Sequence, residues 1–477
     1  MHADALATPR WHRVSEYIAD HTGLHFPPER RTDLWRALGE AAPELGFRDV
    51  DSCADWLLSS PLSSEDLRKL ARYLTVGETY FFRERPSFNA LASHVLPVLI
   101  HRKRAVDRRL RLWSAACSTG EEAYSLAMLV QQVLPDWRDW SISILATDIN
   151  PQSLRKAEAA EYGEWSFRES GPEFRARYFV PARGNRYRLR EDVRRMVSFS
   201  ELNLATDGFP SLVSNTQAMD VILCRNLLIY FTPAHATRLI GKLRRALVDE
   251  GWLIVSPSEC SQTLFNGFTA VNFPGSVLYR KGESSPPAAP LAGSGIPAPM
   301  TACDPSLAPR AILDISEPPR SQPAPAGSSE PVPAPDSVPV TPPGPAVSPS
   351  LGATARLLAD QGALAEALAA SETWIAADKL DAAAHYVQAM VQLELGNRAG
   401  ARAALQRALY LDADFPVAYF ALGNLARAEA RTDEARRHFT NAAQLLRKLP
   451  ADGAVPESEG MTAGRLLEII NALLVDK

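Results

Sequence analysis

Two glutamates stand where a ligand site could form. Glu121 and Glu122 follow a turn of small residues, 114–120, which ends one predicted strand and opens a helix. Small residues let the backbone approach a ligand closely, and the helix N-terminus lies beside them. Two carboxylates would repel a phosphate, so the pattern favours a cationic ligand that carries an amino group. The alternative is a plain helix start, where the helix dipole favours acidic residues.

Asp148 adds a second acidic position, at the end of the next predicted strand in the sequence ILATDIN. An acidic residue at this place in doubly wound folds commonly binds ribose hydroxyls. An aspartate that only caps a helix or a turn is the alternative. Taken together, the acidic turn and Asp148 favour a nucleoside ligand without phosphates, and S-adenosylmethionine fits that description.

Two further segments place polar side chains beside aromatic ones. Arg225 and Asn226 end a buried strand, within the sequence CRNLLIYF. Burying an arginine without a partner is costly, so Arg225 is expected to face a site, with a solvent-exposed edge position as the alternative. The other segment, GETYFFRE at residues 77–84, sets Thr79 and Arg83 around aromatic residues. Taken alone, that segment is explained better by packing.

An alternation of strand and helix patterns positions these segments. From about residue 109, apolar runs typical of strands alternate with segments in which apolar residues recur every three or four positions, as is typical of helices. This order predicts an α/β fold with a mostly parallel sheet and helices on both faces. Residues 175–192 predict a β-hairpin that turns at Gly184 and Asn185. Residues 10–75 predict short helices, with Asp51 and Ser64 as N-caps.

The last third of the chain has a different composition. Residues 284–350 hold 19 of the 37 prolines and no aromatic residue, so they are predicted to be disordered. Beyond them the chain is rich in alanine, and Ala401 and Leu405 recur as Ala435 and Phe439 at the tetratricopeptide period of 34 residues. An amphipathic helix near the C-terminus is expected to cap these repeats.

The predicted organisation has five parts. They are a helical N-terminal domain (1–90), an α/β domain (91–283) with a small antiparallel β subdomain at about 165–200, a disordered linker (284–350), tetratricopeptide repeats (351–450) and a C-terminal helix (451–477).

Composition excludes several classes of protein. The net charge of −4 gives no reason to expect nucleic acid as the main partner. The cysteines are few and scattered, without metal-type spacing, which predicts a reducing compartment and no metal site. No apolar run reaches the roughly 18 residues of a membrane span, and the first residues lack the core of a signal peptide. A cytoplasmic location is therefore expected.

Five segments in order resemble one family. GETYFFRE, LWSAACSTGEEAYSLAM, ATDIN, FSELNL and CRNLLIYF follow the order and spacing of the chemotaxis receptor methyltransferases, CheR, over residues 10–281. The resemblance implies a Rossmann-like domain that uses S-adenosylmethionine to form methyl esters on glutamate side chains of methyl-accepting receptors. With repeats after the linker, the chain is similar to Wsp-type members of surface-sensing and biofilm-controlling pathways.

The resemblance also implies roles for individual residues. Those implied to bind the cofactor are Thr79, Arg83, Glu121, Asp148, Asn203, Leu204, Arg225 and Asn226. Within this set, Glu121 would hold the methionine amino group and Asp148 the ribose. Asn203 and Leu204 would frame the adenine. Arg83 and Tyr230 are expected to be catalytic, orienting the acceptor carboxylate by hydrogen bonds.

The expected partners are proteins. The first is the cytoplasmic domain of a methyl-accepting receptor, and arginines crowded between residues 168 and 195 form a basic surface that could attract an acidic helix or could simply be solvated. The repeats are expected to bind a protein or peptide in their groove, or to self-associate. Two other functions stay open: a methyltransferase with another acceptor, and a tetratricopeptide scaffold that only senses the cofactor.

Overall fold

A computed structural model describes residues 8–211, 214–261, 263–282, 350–360, 363–429, 431–458 and 461–475. The linker predicted to be disordered, residues 284–350, lies outside these ranges except for Ser350. The described parts before and after it belong to one compact unit.

Four helices pack together at the N-terminus. They are α1 (Pro9–Thr22), α2 (Arg31–Ala41), α3 (Val50–Ser59) and α4 (Ser64–Leu74). The predicted N-caps Asp51 and Ser64 are wrong by one or two residues. Asp49 caps α3 by accepting the N–H of Ser52, and Ser63 caps α4 in the same way. In both cases the cap is the residue with extended backbone, whereas the predicted residue already lies in the first turn.

The middle of the chain alternates strands and helices. In chain order these are α5 (Arg85–Ala90), a π-helical turn (Leu91–Val95), α6 (Leu96–Arg104), β1 (Arg109–Ala115), α7 (Glu121–Val133), β2 (Ser141–Asp148), α8 (Pro151–Ala159), β3 (Glu161–Tyr162), α9 (Pro172–Tyr178), β4 (Phe179–Ala182), β5 (Arg186–Leu189), α10 (Glu191–Arg194), β6 (Val197–Glu201), β7 (Met219–Leu223), α11 (Pro233–Ala246), β8 (Leu247–Ile254), β9 (Phe268–Phe273) and β10 (Ser276–Lys281).

Seven of the strands form one sheet in the order β6-β2-β1-β7-β8-β10-β9. The strands from β6 to β8 are parallel, and β10 runs antiparallel to β8 and β9. Leu110 and Leu112 of β1 face one core, whereas Trp113 and Ala115 face the other. Because apolar residues of the strands point to both faces of the sheet, helices cover both faces. The predicted α/β fold class is confirmed.

A second, small sheet has the order β3-β5-β4 and is antiparallel. Its hairpin turns at Gly184 and Asn185, which have φ values of 69° and 55°. Two successive residues with positive φ are typical of a tight hairpin turn. The predicted hairpin is confirmed, except that residues 172–178 before β4 form a helix.

The C-terminal part is helical. Its elements are α12 (Leu351–Asp360), α13 (Leu364–Ala377), α14 (Ala382–Glu394), α15 (Arg398–Leu411), α16 (Pro416–Ala428), α17 (Thr432–Leu446) and α18 (Ala463–Val475). The first six form three pairs, and the recurring residues Ala401, Leu405, Ala435 and Phe439 are all buried. The 34-residue period therefore marks one helix pair, as in tetratricopeptide repeats. α18 packs against α17 at the end of the stack.

Candidate functional site

A large cleft opens at the carboxyl ends of β1, β2, β6 and β7, with the N-terminal helices on its other side. About 1110 Å³ within it is free of protein atoms, including the part open to solvent. The predicted residues that line it are Thr79, Arg83, Asp148, Asn203, Leu204, Arg225, Asn226 and Tyr230.

The turn after β1 brings backbone to the cleft. Ala116, Ser118 and Gly120 all have positive φ, at 64°, 50° and 91°. A Cβ atom on Gly120 would lie 2.8 Å from the Cβ of Ala157 in α8. Only glycine fits there, and the tight packing lets α7 begin directly beside the cleft.

Asp148 joins this turn to the end of β2. Its carboxylate accepts the backbone N–H groups of Ser118 and Asn150, both at 2.8 Å. Burial raises the pKa of Asp148, against the opposing effect of these N–H groups. Each carboxylate oxygen has a further lone pair, so Asp148 can still accept two hydroxyls from a ligand in the cleft.

The two glutamates at the start of α7 point to different places. Glu121 is buried and accepts the hydroxyls of Thr119 and Ser166 at 2.6 and 2.8 Å, away from the cleft lining. Glu122 lines the cleft and accepts the hydroxyl of Ser114 at 2.7 Å. Burial raises the pKa of both carboxyls. Of the two carboxylates, that of Glu122 lines the cleft, whereas Glu121, the residue expected to hold the amino group, is not part of the lining.

Arg225 is almost completely buried and holds two carboxylates. Its guanidinium lies 2.8 Å from Glu84 Oε2 and 3.1 Å from Glu122 Oε2. The amide of the adjacent Asn226 donates to Glu84 at 3.3 Å. Arg225 lines the cleft, and its two carboxylate partners offset the cost of burying its charge.

Glu259 fixes the segment that follows Arg225. One oxygen of its buried carboxylate accepts the N–H of Asn226 at 2.9 Å, and the other accepts the N–H of Leu228 at 2.7 Å. The first oxygen also accepts the N–H of Ser256, 2.9 Å away. Sequence reasoning missed Glu259, since it lies a whole strand and helix away from the residues it positions.

The N-terminal domain closes the cleft beside Tyr230. The guanidinium of Arg30 lies 5.2 Å from the centre of the Tyr230 ring, and the N–H of His25 donates to the Tyr230 carbonyl at 2.7 Å. Gly23 packs so tightly on Phe231 that an added Cβ would lie 2.3 Å from its ring. His25 and Arg30 line the cleft, and sequence reasoning missed them because tertiary packing alone brings them there.

Arg83 also lines the cleft. Its guanidinium donates to the carbonyl of Glu78 at 2.7 Å and lies 5.8 Å from the ring of Tyr80. The Tyr80 hydroxyl donates to Glu169 at 2.7 Å, and burial together with this bond raises the pKa of Tyr80 to about 12. The lining around Arg83 therefore carries a cation, a phenol and Glu78, whose carboxylate pairs with Arg168.

Many of the arginines between residues 168 and 195 are paired on the surface. Arg168 pairs with Glu78, Arg175 with Glu164, Arg188 with Glu161, and Arg194 and Arg195 with Glu191. These bonds reduce the free positive charge that a partner would meet.

Comparison with known proteins identifies the family. Residues 77–274 match the family described as CheR methyltransferase, SAM binding domain. The probable biofilm formation methyltransferase WspC of Pseudomonas putida is 31% identical over 454 residues, which cover 91% of this chain and 98% of that protein. The chain belongs to the CheR methyltransferase family. The WspC protein of Pseudomonas aeruginosa is also 31% identical, over 91% of this chain and 99% of its own length.

A second kind of CheR relative matches the methyltransferase part. The probable chemotaxis protein methyltransferase of Rhizobium etli is 36% identical over 217 residues, which cover 45% of this chain and 77% of that protein. The predicted family and cofactor are confirmed, and this CheR methyltransferase uses S-adenosylmethionine. None of the helices in the described ranges is long and apolar enough to cross a membrane.

Proposed function

We propose that this CheR methyltransferase transfers the methyl group of S-adenosylmethionine to glutamate side chains on the cytoplasmic domain of a methyl-accepting receptor, forming methyl esters. The observation that carries this proposal is that carboxylates and cations both line the cleft. Glu122 and Asp148 line it, and so do Arg30, Arg83 and Tyr230. The first group suits a cationic nucleoside and the second suits an acceptor carboxylate.

The residues present fit the cofactor. Asp148 has free lone pairs for ribose hydroxyls, and Glu122 offers a carboxylate to the α-amino group. Asn203 and Leu204, both buried at the end of β6, supply the walls for adenine. When bound, the cofactor supplies a methyl group on a positively charged sulfur, which is an excellent leaving group.

The acceptor needs orientation more than activation. A glutamate side chain has a reference pKa near 4.3 and is already ionised at neutral pH, so no general base is required. Arg83 and Tyr230 orient the carboxylate through one oxygen and leave the other free to attack, because a tightly held oxygen would be a poorer nucleophile. The N-terminal domain excludes water from the cleft, which favours a step in which opposite charges disappear.

The same charges disfavour an amine acceptor. An amine is protonated at neutral pH, so it would need a base, and Arg30 and Arg83 would repel its positive charge. A carboxylate meets attraction at this position and arrives in its reactive form. The cleft therefore favours ester formation over methylation of nitrogen.

One relative is named for chemotaxis and another for biofilm formation. The reaction accordingly belongs to cytoplasmic signalling in chemotaxis or in biofilm control. The repeats bring a protein or peptide to the enzyme. The test is transfer of a labelled methyl group from S-adenosylmethionine to receptor cytoplasmic domains, followed by mild alkali. We expect label to be released as methanol, and to be absent when the acceptor glutamates are changed to glutamine before the assay. Alkali-stable label, or transfer to the glutamine variant, would contradict the proposal.

A further inference from the structure

An arginine of the C-terminal helix reaches the methyltransferase domain. Arg465 of α18 contacts two carboxylates of that domain, 3.0 Å from Glu201 Oε1 and 3.2 Å from Asp207 Oδ2, and it also pairs with Glu468 of its own helix at 3.3 Å. Glu201 ends β6 and also accepts two hydrogen bonds from Arg68 of α4, at 2.8 and 2.9 Å. The side chain of Arg465 is only 15% exposed, so this contact is a partly buried network rather than a surface ion pair.

The same oxygen of Asp207 supports the cofactor cleft. Asp207 Oδ2 accepts the backbone N–H of Asn203 at 2.8 Å, and the N–H of Asp207 donates to the Asn203 carbonyl at 2.9 Å. The Asn203 amide group donates to the carbonyl of His21 at 2.7 Å, which ties it to the N-terminal domain. Asn203 lines the cleft on one side and a second cavity, lined also by Arg465 and Met461, on the other.

A second contact fixes the direction of the repeat domain. Glu394, at the end of α14, lies 2.8 Å from Arg111 Nη1 and accepts the amide of Gln217 at 2.9 Å. Arg111 is buried at the start of the central sheet and also donates to Asn215 at 2.6 Å. The repeat domain is therefore tied to the sheet through α14 as well as through α18, which lowers the entropy cost of bringing Arg465 to Asp207.

We infer that Arg465 is a positioning residue for the adenine end of the cofactor site, so that the repeat domain sets the affinity for S-adenosylmethionine. Arg465 neutralises Asp207 and holds its carboxylate against the N–H of Asn203. Without it, Asp207 turns toward solvent and the Asn203 turn loosens. The inference rests on the proposed assignment of Asn203 and Leu204 to the adenine. By reciprocity, any partner that moves α18 changes cofactor affinity by the same factor as the cofactor changes binding of that partner.

The test is calorimetric titration of the full chain with S-adenosylhomocysteine. We expect Arg465→Ala to raise the dissociation constant about three- to tenfold, the scale of one or two charge-assisted hydrogen bonds in a partly exposed network. Arg465→Lys keeps the positive charge but replaces the planar guanidinium with an ammonium group, so it should recover part of the lost affinity. Asp207→Asn weakens binding as well, and adding Arg465→Ala to it has little further effect because both act through one carboxylate.

Arg356→Ala is the matched control, because it breaks an ion pair with Glu457 inside the repeat domain at 2.7 Å and touches neither cavity. It is expected to leave the dissociation constant unchanged. The inference is overturned if Arg465→Ala melts at the same temperature as the wild type and its dissociation constant for S-adenosylhomocysteine is within twofold of the wild-type value. If that variant does not fold, unchanged binding by Arg465→Lys and Asp207→Asn overturns it equally.

Asn203→Ala tests the assignment of Asn203 to the adenine separately from the inference about Arg465. If Asn203→Ala binds S-adenosylhomocysteine weakly and Arg465→Ala binds it normally, only the inference about Arg465 is wrong. If Asn203→Ala binds it normally, both the adenine assignment and the inference are wrong. Neither result depends on an acceptor, so the proposed glutamate esterification is tested separately.

Discussion

Glu122 and Arg225 form a buried ion pair beside the cleft, with 3.1 Å between Glu122 Oε2 and Arg225 Nη1. Glu84 holds the same guanidinium at 2.8 Å. One arginine thus serves two carboxylates, and this end of the cleft keeps a net negative charge. Such a site binds the amino group of a cofactor better than it binds a phosphate.

Glu122→Gln should therefore weaken binding of S-adenosylhomocysteine. A hydrogen bond to a charged group contributes about 1.5–3 kcal/mol, so we expect a loss of at least about tenfold in affinity by calorimetry. Glu121→Gln is the matched control, since its carboxylate bonds to Thr119 and Ser166 away from the cleft lining. Equal losses in both variants would contradict the assignment to Glu122.

Glu121 should also make stability depend on pH. Burial raises the pKa of Glu121 above 4.5 in the folded protein, so the folded state keeps a proton that the unfolded state has already lost. Stability therefore falls as the pH rises through the interval just above 4.5. Glutamine does not titrate. The melting temperature of Glu121→Gln minus that of the wild type should therefore increase as the pH rises from about 4 to about 7.

The control for this pH effect is Glu173→Gln, a change at an exposed carboxylate. Its difference from the wild type should stay constant over the same range. A constant difference for Glu121→Gln as well would show that the folded state does not favour the protonated carboxyl.

Tyr230→Phe should lower kcat by about tenfold or more, because one hydrogen bond to the acceptor carboxylate is lost. Cofactor affinity should stay within about twofold, since the phenol faces the acceptor in our assignment. Tyr80→Phe is a useful comparison in the same cleft, because the Tyr80 hydroxyl already donates to Glu169. A kcat that is unchanged in Tyr230→Phe would remove this tyrosine from the reaction.

Arg30→Ala should raise KM for the receptor acceptor by about fivefold or more, because it removes a cation from the acceptor side of the cleft. Arg36→Ala is the matched control: Arg36 also contacts Asp33 but is exposed and does not line the cleft. Steady-state kinetics with a receptor cytoplasmic domain distinguishes them. An equal rise in both variants would point to a general loss of positive charge.

Glu259→Gln should lower both stability and kcat. Three backbone N–H groups converge on the Glu259 carboxylate, and a glutamine amide would turn an N–H group toward one of them. We expect a loss of about 1–3 kcal/mol in the free energy of unfolding and reduced turnover, because Asn226 and Tyr230 shift. Glu250→Gln, a change at an exposed ion pair with Arg102, should change neither.

Much of the fold could be predicted because its signals are local. Alternation of apolar strands and helices gave the parallel sheet, and the period of 34 residues gave the paired C-terminal helices. Helix starts are not fixed by such signals: Asp49 and Asp51 are both acidic and close together, and only the backbone conformation decides which one caps α3.

The site could be predicted in part, and the reasons for the rest are physical. Neighbouring residues of a helix point about 100° apart, so a pair such as Glu121 and Glu122 leaves open which one faces the ligand. Arg30 and Glu259 come from distant segments that carry no pattern of their own. Arg30 reaches Tyr230 only when the helical domain packs against the sheet, and Glu259 reaches Asn226 only when the segments after β7 and β8 come together.

The most direct measurement of the central claim is mass spectrometry of a receptor cytoplasmic domain after incubation with this methyltransferase and methyl-deuterated S-adenosylmethionine. We predict label on glutamate side chains, released by mild alkali, and strongly reduced label with the Tyr230→Phe variant. Label on a nitrogen atom, or none on any receptor domain while the enzyme binds the cofactor, would contradict the account.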